Sequence, residues 1–152
     1  MNQSFRIPQF LLRVALGVSF LSPVGDRLGL LGNFGSPNIE WGNWDRFIGY
    51  TATLMPFLEK PVVNIMGTLA TIAEIIIGLL LIIGFKTKVA AIGSSLLTFI
   101  FIIAMTTSLG VKAPINYSVF TTCFASLLLA SLPTYDWSID NLLRKNSSKG
   151  LS

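Results

Sequence analysis

One carboxylate sits where carboxylates are rare. In the stretch TIAEIIIGLLLIIG, residues 71–84, Glu74 is surrounded by isoleucine and leucine. An acid held away from water can take up or release a proton, or hold a carbonyl by a hydrogen bond. That chemistry suits a quinone or a proton path, and it equally suits a structural hydrogen bond. The company of Glu74 is polar as well. Asn64, Gly67, Thr71, Glu74 and Gly78 follow one another at intervals of three and four residues. On a helix they share one face, and the other faces are Ile, Leu and Val. The stripe must meet protein or trapped water. Either its glycines admit a neighbouring helix, with the polar groups as glue, or it lines a cavity. Packing alone does not explain the carboxylate.

Glu74 needs company from other segments. Arg13 lies in the first apolar run, where its long side chain either climbs toward Glu74 or snorkels back to the surface. Pro23 is expected to kink or unwind that run, and Asp26 and Arg27 follow it directly. Adjacent residues point to different sides of a helix, so these two do not simply neutralise one another. Lys112, Asn116, Tyr117 and Ser118 come from the start of the last apolar run. With Asp26 and Arg27 they either ring the mouth of an outward-facing pocket floored by Glu74 or form an ordinary polar rim. The connection 32–61 is rich in aromatics, among them Trp41, Trp44, Phe47 and Tyr50. Asn43 is placed to cap a short helix beginning at Trp44, whose Phe47, Ile48, Thr51 and Leu54 then share its face. Trp and Tyr favour the membrane interface. The interfacial segment, about 41–57, is therefore an anchor or a lid, with Trp44 and Tyr50 facing the pocket.

The elements that must position these groups are membrane helices. Only 12% of the 152 residues are charged and 52% are apolar. That charged fraction is about half of what soluble domains carry. Four runs are long enough to cross a bilayer, at about 9–31, 62–85, 89–109 and 115–132. A carboxylate at the midplane costs on the order of 3 kcal/mol. The eleven Ile and Leu of residues 62–85 return about 0.5 kcal/mol each, so that helix still inserts. The sequence thus predicts an all-α, integral membrane four-helix bundle over 1–135, followed by a mobile polar tail over 136–152. The first run lacks a small-residue cleavage site and reads as a retained helix. With both termini inside, Arg6, Lys86, Lys88, Arg144, Lys145 and Lys149 face the cytoplasm, and Arg27, Arg46, Lys60 and Lys112 face outward.

Composition also excludes. One cysteine, Cys123, and no histidine rule out dithiol chemistry within the chain, His-ligated haem and zinc sites built on His or several Cys. Cys123 reads as a small packing residue. The net charge of +4 is spread between apolar runs without a basic, aromatic-interleaved cluster, so nucleic acid is not expected as a partner. No metal and no covalently bound cofactor is expected.

The stretches RVALGVSFLSPVGDRLGLLG, WGNWDRFIGYTATLMPF, AEIIIGLLLIIGFKTKVAAIGS and KAPINYSVF together resemble the DoxX-like family of small four-helix membrane proteins. The most specific part is Glu74, Gly78, Leu79, Leu81, Gly84, Phe85, Lys86, Thr87 and Lys88. The resemblance covers roughly residues 10–132 and implies a four-helix bundle in a prokaryotic inner membrane. The family takes its name from subunits of a thiosulfate:quinone oxidoreductase, and other members are linked to oxidative and thiol stress. It thereby implies a redox-associated accessory protein that binds a quinone or similar lipophile. If catalytic, such a chain is the membrane, quinone-side subunit of a complex, because it lacks the residues to carry electrons itself. The alternative is a non-catalytic module that anchors or assembles a partner protein, or a homo-oligomer. A small transporter fits less well, since no internal repeat is evident.

Overall fold

The computed structural model describes residues 5–149, with side chains through Arg144. Every regular element among them is helical: α1 (Arg6–Arg27), α2 (Trp44–Leu54), α3 (Lys60–Ile83), α4 (Thr87–Leu109), α5 (Lys112–Asn116), α6 (Val119–Ser131) and α7 (Ile139–Lys149). Three of them, α1, α3 and α4, are long and apolar enough to cross a membrane. The shorter apolar helix α6 has 13 residues. The fold is all-α with the build of a multi-pass membrane protein.

Several boundaries differ from the sequence expectation. Helix α1 ends at Arg27 and not near residue 31, because Gly29 and Gly32 turn the chain with positive φ. Pro23 neither unwinds nor ends α1, which continues to Arg27. The run 115–132 is divided, since Ser118 adopts a left-handed φ of 56° between α5 and α6. The segment read as a mobile polar tail is helical over Ile139–Lys149. Ser138 Oγ starts it by accepting from the Asn141 amide at 3.1 Å, as an N-cap does. The side chains of Lys145 and Lys149, counted in the charge bias, lie outside the described residues.

Helix α1 packs on α3, and α4 packs on α6. The first contact is a glycine crossing. A Cβ on Gly17 would lie 2.8 Å from the Gly78 carbonyl oxygen, and one on Gly78 would lie 3.0 Å from that of Gly17. Only hydrogens fit between these backbones, which is the small-residue packing used where lipid offers no hydrophobic drive to associate. The second contact is also built from small side chains. Ser94 and Ser126 hydroxyls meet at 2.6 Å, and buried Cys123 donates weakly to the Ser95 carbonyl at 3.4 Å. Between them lies an apolar core that includes Leu16, Phe20, Ile77, Leu81 and Leu129. Outward, Leu69, Ile72, Ile76 and Leu79 of α3 are exposed, as lipid-facing residues are.

Gly84 ends α3 in the left-handed conformation, φ 70°. A side chain there would strike Ser138 and the Arg13 guanidinium, 2.5 and 2.8 Å away. The chain then turns into α4, whose first amides are capped from a distance. Asp140 of α7 accepts from Lys86 N and Thr87 N, each at 2.8 Å.

Candidate functional site

The site is built where α1, α2 and α3 meet. Four stripe residues of α3, Gly67, Thr71, Glu74 and Gly78, are buried as the spacing predicts. They do different work. Gly78 receives α1. Gly67 receives α2, since a Cβ there would sit 2.8 Å from Ile48 Cδ1 and 3.1 Å from the Phe47 ring. Thr71 and Glu74 carry the polarity. Asn64, the fifth member, does not face the interior. It is exposed at the first turns of α3, where its side-chain oxygen accepts from Trp44 Nε1 at 3.0 Å.

The partner of Glu74 is Arg27. Its Nη1 lies 2.7 Å from Glu74 Oε2, and the two side chains are 4% and 5% exposed. The guanidinium descends along α1 and is fixed on three sides. Its Nε donates to the Pro23 carbonyl at 3.2 Å, and Nη1 donates to Thr71 Oγ1 at 2.9 Å. Thr71 can accept because its own hydroxyl proton goes to the Gly67 carbonyl at 2.8 Å. The third side is aromatic. The Arg27 carbon lies 4.0 Å from the centroid of Phe47 and 5.3 Å from that of Trp41. A cation desolvated against ring faces gains roughly 2 kcal/mol. The same Nη1 thus stands 2.9 Å from Thr71 Oγ1 and 2.7 Å from Glu74 Oε2, so the hydroxyl and the carboxylate share one end of the guanidinium. A buried carboxylate thus faces a buried cation, the two side chains 5% and 4% exposed.

Arg13 is not that partner. It turns toward the other end of α1 and, instead of reaching water, is fully buried. Its Nη1 donates to the Asp136 carbonyl at 3.3 Å and its Nη2 to the Trp137 carbonyl at 2.6 Å. Gln9 donates to the same Asp136 carbonyl at 3.0 Å. The residues 136–137 therefore fold over Arg13 and cover it.

Asp26 is set apart from Arg27, as neighbours on a helix must be. Its carboxylate gathers the connection to α2: Oδ2 accepts from Glu40 N at 2.8 Å, Oδ1 accepts from Gly42 N at 2.8 Å, and Trp41 N lies 3.3 Å from both. This clamp places Trp41 beside Arg27. Helix α2 starts at the Asn43 cap, whose Oδ1 accepts from Arg46 N at 3.0 Å. Its buried residues are Phe47 and Thr51. The far end of α2 is tied to α4, because Ser108 Oγ donates to the Leu54 carbonyl at 2.6 Å. Tyr50 is half-buried beside Trp41, ring centroids 5.9 Å apart. Burial, with the charge of Glu40 second, pushes its phenol above the usual range.

Other expected members stand apart. Lys112 is exposed at the start of α5. Tyr117 is exposed and donates to Glu40 Oε1 at 2.9 Å, so it ties α5 to the loop and does not reach Glu74. Trp44 is half-buried and lines, with Asn64, Ile48, Gly49, Ala52 and Pro61, a groove of about 560 Å³ between α2 and the start of α3. Glu74 does not line that groove. Trp41, Phe47 and Gly17 complete the site without having been assigned to it from sequence. The aromatic richness of the loop was visible, but only the Asp26 clamp shows which rings meet the guanidinium. Among the described residues no cluster of His, Cys, Asp and Glu is gathered to hold a metal.

In comparisons with known proteins, no family model, no curated protein and no solved structure matches the chain.

Proposed function

We propose that this chain is a DoxX-like protein of a prokaryotic inner membrane that binds a quinone or similar lipophile as the membrane subunit of a redox system. In this reading α5 and α6 together make the fourth crossing of a four-helix bundle, with both termini in the cytoplasm. The observation that carries it is the Arg27–Glu74 pair, a buried cation and carboxylate in contact, covered by the aromatic ring of Phe47 on α2. Buried ionic groups in membrane helices are costly and mark function more often than they mark stability. A lipophilic ring entering by the groove at Trp44 and Asn64 meets the reverse side of the helix that covers Arg27. Displacing α2 by a few ångströms opens the guanidinium to a ligand carbonyl, and Glu74 then accepts or returns the proton. Electrons come from a partner protein, because the chain holds no carrier of its own. The volume of the groove lies in the range of small-molecule sites.

The test is mass spectrometry of organic extracts from protein purified in mild detergent, beside an unrelated membrane protein. A stoichiometric quinone or other lipophile, lost in Glu74→Gln at normal expression and folding, is the expected result. Protein that carries only the lipids of the control overturns the reading. A second reading, a non-catalytic anchor or assembly module for a partner protein or another copy, is favoured by a specific observation. The pair is closed, and neither the groove at Trp44 nor the cavity at the other end is lined by Glu74. In that case Arg27 and Glu74 fix the register of α1 on α3, and Glu74→Gln leaves function intact.

A further inference from the structure

The end of the molecule remote from Arg27 carries a second polar feature, independent of the site above. A cavity of about 450 Å³ lies among the α3–α4 turn, the 133–135 segment and the first turns of α7. Three cations wall it: Lys86, Lys88 and Arg144. Among the described residues the ion pairs are Arg6–Asp136 and Arg27–Glu74, so none of these three has a carboxylate within ion-pairing distance. The one acid in the wall, Asp140, directs both oxygens to the amides of Lys86 and Thr87. Thr87 also lines the cavity, is fully buried, and its hydroxyl has no hydrogen-bond partner. The site thus gathers three positive charges against the one negative charge of Asp140, with Arg144 Nη2 donating to Asn141 Oδ1 at 3.1 Å, and an unpartnered hydroxyl.

Its surroundings say what kind of anion fits. Val89, also in the wall, is 65% exposed on the first turn of the membrane-spanning α4. Helix α7 presents Leu142 and Leu143, 62% and 52% exposed, with Trp137 exposed just before it. An amphipathic helix of this kind lies in the membrane interface with its apolar side in lipid. A free anion has no use for that apolar flank, whereas a lipid has both a charge and a chain. We propose that this cavity binds the phosphodiester headgroup of an anionic phospholipid, with Lys86, Lys88 and Arg144 on the phosphate and the acyl chains running down past Val89.

The experiment uses the full chain, stripped of lipid in mild detergent and followed by native mass spectrometry. It is titrated with phosphatidylglycerol, with phosphatidylcholine of the same chains, and with inorganic phosphate as competitor. Wild-type protein is expected to hold phosphatidylglycerol in preference to phosphatidylcholine, without displacement by phosphate. Each of Lys86→Gln, Lys88→Gln and Arg144→Gln is expected to reduce that preference about fivefold, as each basic residue near an anionic surface contributes about 1 kcal/mol. Lys88→Arg keeps the charge and is expected to keep the preference. Lys112→Gln, which removes an exposed cation outside this cavity, is expected to change nothing. Equal retention of the two lipids by wild type, or an unchanged preference in folded Lys86→Gln/Lys88→Gln/Arg144→Gln, overturns the proposal. So does full displacement by phosphate, which would make this a soluble-anion site.

Discussion

Replacing Arg27 by Met puts the central contact to a direct test. The two charges are 2.7 Å apart with side chains about 95% buried. At an effective dielectric of about 20 their gross attraction is about 6 kcal/mol. Desolvation costs several kcal/mol per ion, so the pair as a whole adds little to stability. Breaking it from one side is different. Arg27→Met leaves Glu74 in the interior without its cation, and such a change costs about 3–5 kcal/mol. Glu74→Leu is expected to be milder. Arg27 then still donates to Thr71 and Pro23 and still faces Phe47 and Trp41. The double variant Arg27→Met/Glu74→Leu should recover most of the loss and lie within about 1–2 kcal/mol of wild type. Reversible unfolding of all four proteins in mixed micelles, followed by far-ultraviolet circular dichroism, closes the double-mutant cycle. A coupling energy below about 0.5 kcal/mol, the scatter expected of independent sites, would refute the reasoning. So would a double variant as unstable as the sum of its parents.

Other outcomes follow from the same geometry. Asp26→Ala strips three amides of their acceptor, and the loss of about 2–3 kcal/mol should show as faster hydrogen exchange at residues 40–42 and altered fluorescence of Trp41. Gly78→Leu drives a side chain into the Gly17 carbonyl and Leu21. It should prevent α1 from docking on α3, seen as lost cross-linking between cysteines placed on the two helices. Asp140→Asn removes the charged cap of α4 and should cost about 1 kcal/mol, measured as a lower thermal midpoint in detergent. The Tyr50 phenol should ionise above the usual range of tyrosine in an absorbance titration. Glu40→Gln should bring it down only part of the way, since burial is the larger cause.

What could be read in advance was whatever a single helix decides. The period of Gly67, Thr71, Glu74 and Gly78 gave their common face, and Asn43 gave the start of α2, because both are local patterns. Asn64 fits the same period yet is exposed, since at that turn the buried face of α3 is the one carrying Val63, and Asn64 meets Trp44 at the surface. The choice of cation was not local. Arg13 and Arg27 sit on the same helix, the first seven residues inside its start and the second at its last position, and both carry long side chains. Which one meets Glu74 depends on the direction in which α1 crosses α3 at Gly17, and spacing along one chain segment carries no information about that crossing. The 139–149 helix was missed for a related reason. Its composition is polar, and what orders its start is Ser138, together with backbone bonds to the turn after α3, such as Asp140 N to the Gly84 carbonyl at 3.0 Å.

The coverage of Arg13 imposes an order on assembly. Its guanidinium is synthesised within α1, while the carbonyls of Asp136 and Trp137 that receive it come 123 and 124 residues later. The same late segment supplies the Asp140 carboxylate that caps α4. Until then one helix carries a bare cation, and another carries open amides, at the same end of the helices. Both groups must be tended by water, headgroups or insertion machinery while the intervening helices are threaded. Residues 136–140 thus act as a clasp, and a nascent chain arrested before them should remain an open intermediate, vulnerable to proteolysis from that end.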